Sequence, residues 1–201
     1  MKHTLIIVDP QYDFIEGGKL PVEGGKQALD NVVELIKTGN IGNIVITQDW
    51  HPGNHCSFIA NGGEYPEHCV QDTLGAAIYS PILDIIHDLN IYHGIIRKGQ
   101  SAFQDNYSAF LTICDLYYDT VQFVTEGQVD DCWEDLVLSF QESVIICGLA
   151  GDICVLNTLK VLNPIKDYLT GFYVYKKGTA SLDGGSALSE YMVNNDIPEY
   201  E

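Results

Sequence analysis

The chain has 201 residues, of which 46% are hydrophobic and 10% aromatic, enough apolar material for a folded core. Its 10 basic and 28 acidic side chains give a net charge of −18, so we expect no binding to nucleic acid or to an anionic membrane. The six cysteines are scattered without a C-x-x-C pair, and no signal peptide or membrane-spanning run is evident, which predicts a cytoplasmic protein.

Apolar runs and a helical stripe organise the first part of the sequence. Short β-branched runs predict buried strands at residues 4–8 and 43–47, and the spacing of apolar residues predicts a helix over 26–37 between them. Residues 52–76 are rich in Pro, Gly, Asn and His and are predicted to form a long loop. A loop of that length inside a compact domain is usually functional.

A second helix is predicted to begin at Ser80 and Pro81, which suit the cap and the first helical position. Its predicted core face consists of Ile82, Leu83, Ile85, Ile86 and Leu89. A third strand is expected over 91–97. Further along, residues 120–125 suggest an extra strand and 130–140 a helix.

The stretch 143–158 predicts a nucleophile on a strand–turn–helix. The apolar run 144–147 is typical of a strand buried on both faces, and Gly148 and Gly151 bracket a tight turn. With Asp152 as the expected N-cap, Cys154 falls in the first turn of a helix that ends near residue 160 or 162. A helix N-terminus lowers a thiol pKa and offers N–H groups to an oxyanion, although a buried structural cysteine is the alternative.

A final strand is predicted at 169–175 and a short helix at 186–194. Strands that alternate with helices predict one α/β domain over residues 1–201. Its expected architecture is a doubly wound, mostly parallel sheet with helices on both faces, a Rossmann-like arrangement of three layers. Ligands of such sheets bind outside the carboxyl ends of the strands.

Polar residues come directly after several of these strands. Asp9, Lys98 and Cys154 could form a nucleophile set, in which the carboxylate takes the thiol proton and the lysine offsets the repulsion between carboxylate and thiolate. Taken singly, Asp9 could instead be a turn residue before Pro10, and Lys98 a solvated surface lysine.

Asp49, His51, His55 and His68 cluster around the long loop. Imidazole and carboxylate ligands suit Zn²⁺, Fe²⁺ or Mn²⁺, and the alternative is a set of loop residues with local hydrogen bonds. Four aromatic residues lie near these segments and could wall a flat aromatic substrate or simply pack in the fold: Phe14, Trp50, Tyr65 and Phe103.

The sequence resembles the nicotinamidases of the isochorismatase-like cysteine hydrolases. The matching segments are 7–14, 47–58, 65–71, 97–99, 107–110 and 148–155. They span residues 4 to about 162 in the family's order, with weak agreement over 111–142. The metal-loop segments are specific to the nicotinamidase branch.

The resemblance implies a catalytic triad of Cys154, Asp9 and Lys98. It implies a divalent metal, usually Zn²⁺, on Asp49, His51 and His68, with His55 where some members have a fourth ligand. It also implies a non-proline cis peptide at Leu149–Ala150 and an oxyanion hole of the Ala150 and Cys154 N–H groups.

Phe14, Tyr65, Leu149 and Ala150 are the substrate-binding residues that the resemblance implies. The chain departs from the family at two places, with Gly151 where Thr is usual and Tyr65 where Trp is common.

The expected reaction is hydrolysis of nicotinamide, or of a related aromatic amide, to the acid and ammonia through a thioester. Two alternatives stay open: another hydrolase of the superfamily with a carbamoyl, ureido or vinyl-ether substrate, and a non-enzymatic flavodoxin-like binding module. The second is disfavoured because the two carboxylates of Asp9 and Asp13 after the first strand would repel a phosphate. A homo-oligomer is also left open.

Overall fold

The computed structural model describes residues 2–110, 122–125, 128–130 and 143–201. The apolar runs of the sequence form the middle of a sheet in which seven strands are described. These are β1 (His3–Val8), β2 (Ile41–Asp49), β3 (Tyr92–Lys98), β4 (Gln122–Thr125), β5 (Gln128–Asp130), β6 (Ser143–Gly148) and β7 (Gly171–Thr179). Their order is β5-β4-β3-β2-β1-β6-β7. The five neighbouring strands β3, β2, β1, β6 and β7 are parallel, and β4 and β5 extend the sheet antiparallel beyond β3.

Helices cover both faces of the sheet, which explains why its central strands are apolar on both sides. The helices are α1 (Gly25–Thr38), α2 (Ser80–Asp88), α3 (Leu156–Leu162) and α4 (Ser186–Asn194). Leu5 and Ile7 of β1 belong to the core under α1 and α2. Ile6 and Val8, which alternate with them, belong to the core under α3 and α4. The predicted doubly wound α/β fold is confirmed.

The structure differs from the sequence prediction in several details. Leu89 is 47% exposed because α2 ends at Asp88, so the core face of that helix is centred on Ile82 and Ile86. Strand β7 runs to Thr179 rather than ending at 175, because an edge strand tolerates the exposed Lys176 and Lys177.

The extra strand predicted at 120–125 is present at 122–125 as β4. The helix predicted at 130–140 begins at a residue that belongs to β5, and its remaining residues, like 120 and 121, lie outside the described part of the chain. No helix among the described residues is long and apolar enough to cross a membrane.

The register of the strands brings the polar strand ends together. Asp49 pairs with Lys98 across β2 and β3, and Val8 pairs with Gly148 across β1 and β6. Parallel strands place their carboxyl ends at one edge, so Asp9, Asp49, Lys98 and the turn after Gly148 share that edge.

Candidate active site

Four buried side chains, Lys98, Asp9, Asp49 and Cys154, meet at the carboxyl edge of the sheet. The Lys98 ammonium lies 2.9 Å from Asp9 Oδ2, 2.5 Å from Asp49 Oδ1 and 3.5 Å from Cys154 Sγ. Asp9, Lys98 and Cys154 are 0%, 1% and 6% exposed. Lys98 is therefore not the solvated surface lysine that its sequence context also allowed.

Asp9 is fixed by the neighbouring strand β2. Thr47 Oγ1 donates to Asp9 Oδ1 at 2.5 Å, and the Asp9 N–H donates to the Thr47 carbonyl at 3.1 Å. Although Lys98 is close to Asp9 Oδ2, this oxygen accepts no well-aligned hydrogen bond from any described residue. One carboxylate oxygen of Asp9 lies within 4.8 Å of Cys154 Sγ. Since Oδ2 accepts no well-aligned hydrogen bond from the described residues, the Asp9 carboxylate can still accept the thiol proton.

The electrostatics of this cluster favour a protonated thiol. Burial raises the pKa of Cys154 well above its usual value, and Lys98 opposes this shift without cancelling it. Burial likewise raises the pKa of Asp9 against the effect of Lys98. Burial lowers the pKa of Lys98, but Asp49 and Asp9 outweigh burial and raise it well above the usual lysine value. The helix start is expected to lower the thiol pKa, but burial makes the net shift upward.

The turn that carries Cys154 has the predicted cis peptide at Leu149–Ala150. A π-helical turn, Gly151–Val155, precedes α3. The Ala150 carbonyl accepts from the N–H groups of Ile153 and Val155, each at 3.1 Å, and the Gly151 N–H donates to the Ala180 carbonyl at 2.7 Å.

Asp152 does not cap the helix as predicted. Its carboxylate accepts from the backbone N–H groups of Leu182 and Asp183 at 3.0 and 3.2 Å. The helical turn already begins at Gly151, so Asp152 is inside it and points to another segment.

Asp49, His51 and His68 present ligand atoms that all lie within 4.8 Å of one another. His51 Nδ1 lies 2.9 Å from the Gly99 carbonyl, and His68 Nδ1 lies 2.8 Å from the Pro66 carbonyl. When Nδ1 donates to a carbonyl, Nε2 is left as the metal ligand, an arrangement common in metal sites. Lys98 and His51 outweigh burial and hold the pKa of Asp49 far below its usual value, whereas burial lowers the pKa of His68. Burial lowers the pKa of His51, but Asp49 outweighs burial and raises it, so a metal that binds His51 must displace a proton. One carboxylate and two imidazoles form a donor set that fits a divalent cation.

Gly99 makes the contact with His51 feasible. Its φ is 65°, and a Cβ at this position would collide with the His51 ring. The glycine after Lys98 therefore allows the close approach of its carbonyl to the imidazole.

His55 stands apart from this trio. Its ring stacks on His51 with centroids 4.0 Å apart, while Nδ1 lies 2.7 Å from Ser57 Oγ and Nε2 lies 3.1 Å from the Gln104 carbonyl. Its ligand atoms group with those of His51 and Asp105 rather than with Asp49 and His68. A fourth-ligand role for His55 stays a prediction.

Two residues of the segment after Asp9 support the metal trio, and the sequence did not single out this role. Gln11 donates to the Asp49 carbonyl and accepts from the Asp49 N–H, each at 2.8 Å. Asp13 accepts from the N–H of Cys69, the neighbour of His68, at 2.7 Å. In the sequence, Gln11 and Asp13 are marked only as polar residues that follow the end of a predicted strand.

A pocket adjoins the cysteine and the metal trio. Among the predicted residues, Phe14, Tyr65, Ala150 and Cys154 line it together with Asp49 and His68. Leu149 does not, because its side chain is fully buried in the core under α1 and α2. The residues that sequence reasoning missed are Leu20, Val22, Asp105, Tyr107, Ile153 and Leu182.

The other two aromatic candidates are not part of this pocket wall. Trp50 stacks under the guanidinium of Arg97, whose Cζ lies 3.9 Å from the ring centroid. Phe103 is 92% exposed. Tyr107, within the segment 107–110, had a sequence signal, whereas Leu182 had none.

Comparison with known proteins identifies relatives of this chain. The chain is 34% identical over 170 residues to a nicotinamidase of Acinetobacter baylyi, covering 76% of this chain and 70% of that protein. The structure of PnC1 from L. infantum in complex with nicotinate matches with a TM-score of 0.76 and 31% identity, covering all of this chain and 92% of that one. The pyrazinamidase of Pyrococcus horikoshii in complex with zinc matches with a TM-score of 0.71 and 30% identity, covering 100% and 99%. No protein-family model matches the sequence.

Proposed function

Because this chain belongs to the nicotinamidases of the isochorismatase-like hydrolases, we propose that it hydrolyses nicotinamide to nicotinate and ammonia. One observation carries the proposal: Cys154, Asp9 and Lys98 meet beside a three-residue metal trio, and a single pocket is lined by Cys154 together with Asp49 and His68. This combination supports an amidase of the nicotinamidase branch over the other hydrolases of the superfamily, since the metal-loop segments are specific to that branch.

The first half-reaction forms a thioester on Cys154. Asp9 takes the thiol proton, and the thiolate attacks the amide carbon while Lys98 offsets the negative charges. The N–H groups of Ala150 and Cys154 donate to the oxyanion of the tetrahedral intermediate. Asp9 then returns the proton to the amide nitrogen, and the C–N bond breaks to release ammonia.

The second half-reaction releases the acid. Asp9, again a carboxylate, takes a proton from a water molecule that attacks the thioester carbon. The C–S bond breaks, nicotinate leaves, and the proton held by Asp9 returns to the sulfur of Cys154. Burial raises the pKa of Asp9, which makes its carboxylate a stronger base toward the Cys154 proton.

Asp49, His51 and His68 would hold the metal, which we propose to be Zn²⁺ by analogy with the zinc-bound pyrazinamidase. When bound, the metal supplies a Lewis acid that orients the pyridine ring of the substrate. Phe14 and Tyr65 would flank the ring, since both line the pocket beside His68 with ring centroids 5.6 and 5.9 Å from its imidazole.

The remaining proposals concern the whole chain. We propose one catalytic domain over residues 1–201 and a cytoplasmic location. The thiols of Cys56, Cys69, Cys147 and Cys154 are free, which supports a reducing compartment.

Ammonia release from nicotinamide tests the proposed function directly. The metal-loaded protein should release one ammonia per nicotinate formed, and a strong chelator should suppress both. Asp49→Ala should bind no stoichiometric metal and should weaken substrate binding. Full metal occupancy in that variant would refute the ligand assignment, and no turnover by the loaded wild type would refute the function.

A further inference from the structure

Gly151 of the nucleophile turn is in contact with the segment 179–183, which comes at and after the end of β7. A Cβ at Gly151 would collide with Ser181 Oγ and would lie 2.9 Å from Thr179 Cγ2. The absence of a side chain at 151 therefore allows this segment to pack directly against the turn. This contact gives a physical account of a glycine where the family usually has threonine.

Three hydrogen bonds join the same two pieces of chain. The Gly151 N–H donates to the Ala180 carbonyl at 2.7 Å. On the other side, the Asp152 carboxylate accepts from the N–H groups of Leu182 and Asp183 at 3.0 and 3.2 Å. A carboxylate that accepts from two consecutive backbone N–H groups forms charge-assisted bonds and fixes the path of that segment.

The segment held in this way presents Leu182 to the pocket. Leu182 lines the pocket together with Ile153 and Cys154 of the turn and with Phe14. Its side chain remains 48% exposed, so it lies at the mouth rather than in the core. An apolar side chain at that position removes room beside the aromatic ring of a bound amide.

We propose that Leu182 determines which ring substituents the pocket accepts, and that Asp152 is the positioning residue that holds Leu182 in place. The inference rests on the proposed hydrolysis of nicotinamide, and it adds a size filter at the pocket mouth. Among heteroaromatic amides, this filter favours an unsubstituted six-membered ring, because contact with Leu182 disfavours an alkyl group on the ring.

Kinetics with nicotinamide and 5-methylnicotinamide test the proposal. Leu182→Ala should raise the KM for nicotinamide about threefold to tenfold with little change in kcat, and should shift the kcat/KM ratio toward the methylated amide by about tenfold, the usual effect of one methyl group in an apolar pocket. Leu182→Phe should shift the ratio the other way. Val193→Ala, a change at an exposed apolar residue of α4, should alter neither value.

A double-mutant cycle separates the role of Asp152. Asp152→Ala should raise the KM for nicotinamide as Leu182→Ala does, but it should add no further effect in the Leu182→Ala background. Asp152→Asn retains one acceptor oxygen, so its KM should lie between those of the wild type and Asp152→Ala. Unchanged selectivity in both Leu182 variants would overturn the filter, and additive effects would overturn the positioning role. A wild type that hydrolyses nicotinamide in the same assay keeps either failure distinct from a failure of the proposed function.

Discussion

Two residues of the site have a left-handed backbone conformation that residues other than glycine rarely adopt. Asp9 has φ 46° and Cys69 has φ 47°. Such conformations cost about 1–3 kcal/mol each and persist only where the surroundings hold them. The Thr47 carbonyl accepts from the N–H of Asp9, and the Asp13 carboxylate accepts from that of Cys69, so both strained residues are tied to neighbours at the site.

Replacement of the nucleophile should separate chemistry from structure. Cys154→Ala should abolish ammonia release, because no thioester can form, while circular dichroism and metal content stay those of the wild type. Cys56→Ala is a matched control, since that cysteine lines neither the pocket nor the charged cluster, and it should retain full turnover. Ammonia release that persists in Cys154→Ala would refute covalent catalysis.

The pH dependence of catalysis should reflect the environment of Asp9. Burial raises the pKa of this carboxyl, so Asp9 loses its proton at higher pH than an exposed aspartate does. We expect kcat/KM to rise with pH through an apparent pKa above the ordinary carboxyl range, as required for a base that must be ionised. A profile measured at constant metal content that is already flat at pH 4 would contradict this prediction.

At the scale of elements, the short segment 9–14 contributes to several parts of the site at once. It supplies the proposed base, the Gln11 amide that brackets Asp49, the Asp13 carboxylate that holds Cys69, and the Phe14 ring of the pocket wall. One connection after β1 therefore sets the relative placement of base, metal trio and substrate wall.

Asp13→Asn should weaken metal binding without removing a ligand. The loss of the charged acceptor for the Cys69 N–H would loosen the backbone next to His68, and changes of this kind typically cost about 10–100-fold in metal affinity. Competition with a chromophoric chelator would measure the effect. Glu67→Gln, an exposed change on the other side of His68, is the control and should leave the affinity unchanged. Equal affinities in the two variants would contradict the role of Asp13.

The hydrogen bonds of Asp183 at the start of α4 should make a pH-dependent contribution to stability. Asp183 accepts from the N–H of Ala187, the hydroxyl of Ser186 and the N–H of Gly185, which lower its pKa. Because the folded pKa is depressed, this stabilisation is present above the unfolded value and is lost as pH falls through the folded value. Asp183→Ala should cost roughly 0.5–1 kcal/mol at pH 7 in urea unfolding. A difference that persists unchanged at pH 2 would contradict this origin.

Local pattern and family resemblance were enough to predict the residues at the strand ends. Asp9, Asp49 and Lys98 can be located without tertiary information, because parallel strands end at one edge of the sheet. The roles of Asp152 and Leu182 could not be predicted, since they arise from contact between segments about 30 residues apart with no periodicity to signal it. The upward shift of the thiol pKa could not be predicted from the helix start, because burial is a property of the whole fold.

At the scale of the whole molecule, the metal should stabilise the fold as well as serve the reaction. Asp49, His51 and His68 come from a strand end and a distant part of the long loop, and the unfolded chain does not hold them together. Free metal at about 100 times its Kd adds roughly 2.7 kcal/mol. A chelator should therefore lower Tm by about 5–10 °C in a chain of this length. Asp49→Ala should show no chelator-dependent shift, and an equal shift in that variant would contradict metal binding at this trio.

The pairing of Val8 with Gly148 across β1 and β6 has a consequence for how the chain could be divided. A slip of one residue in this pairing would send every side chain of β6 to the opposite face and displace the turn of Cys154 from Asp9 and Lys98. Two fragments cut between β3 and β6 could regain turnover only by reassembling the sheet in its native alignment. Enzymatic activity would then serve as a sensitive reporter for fragment complementation, with no added label.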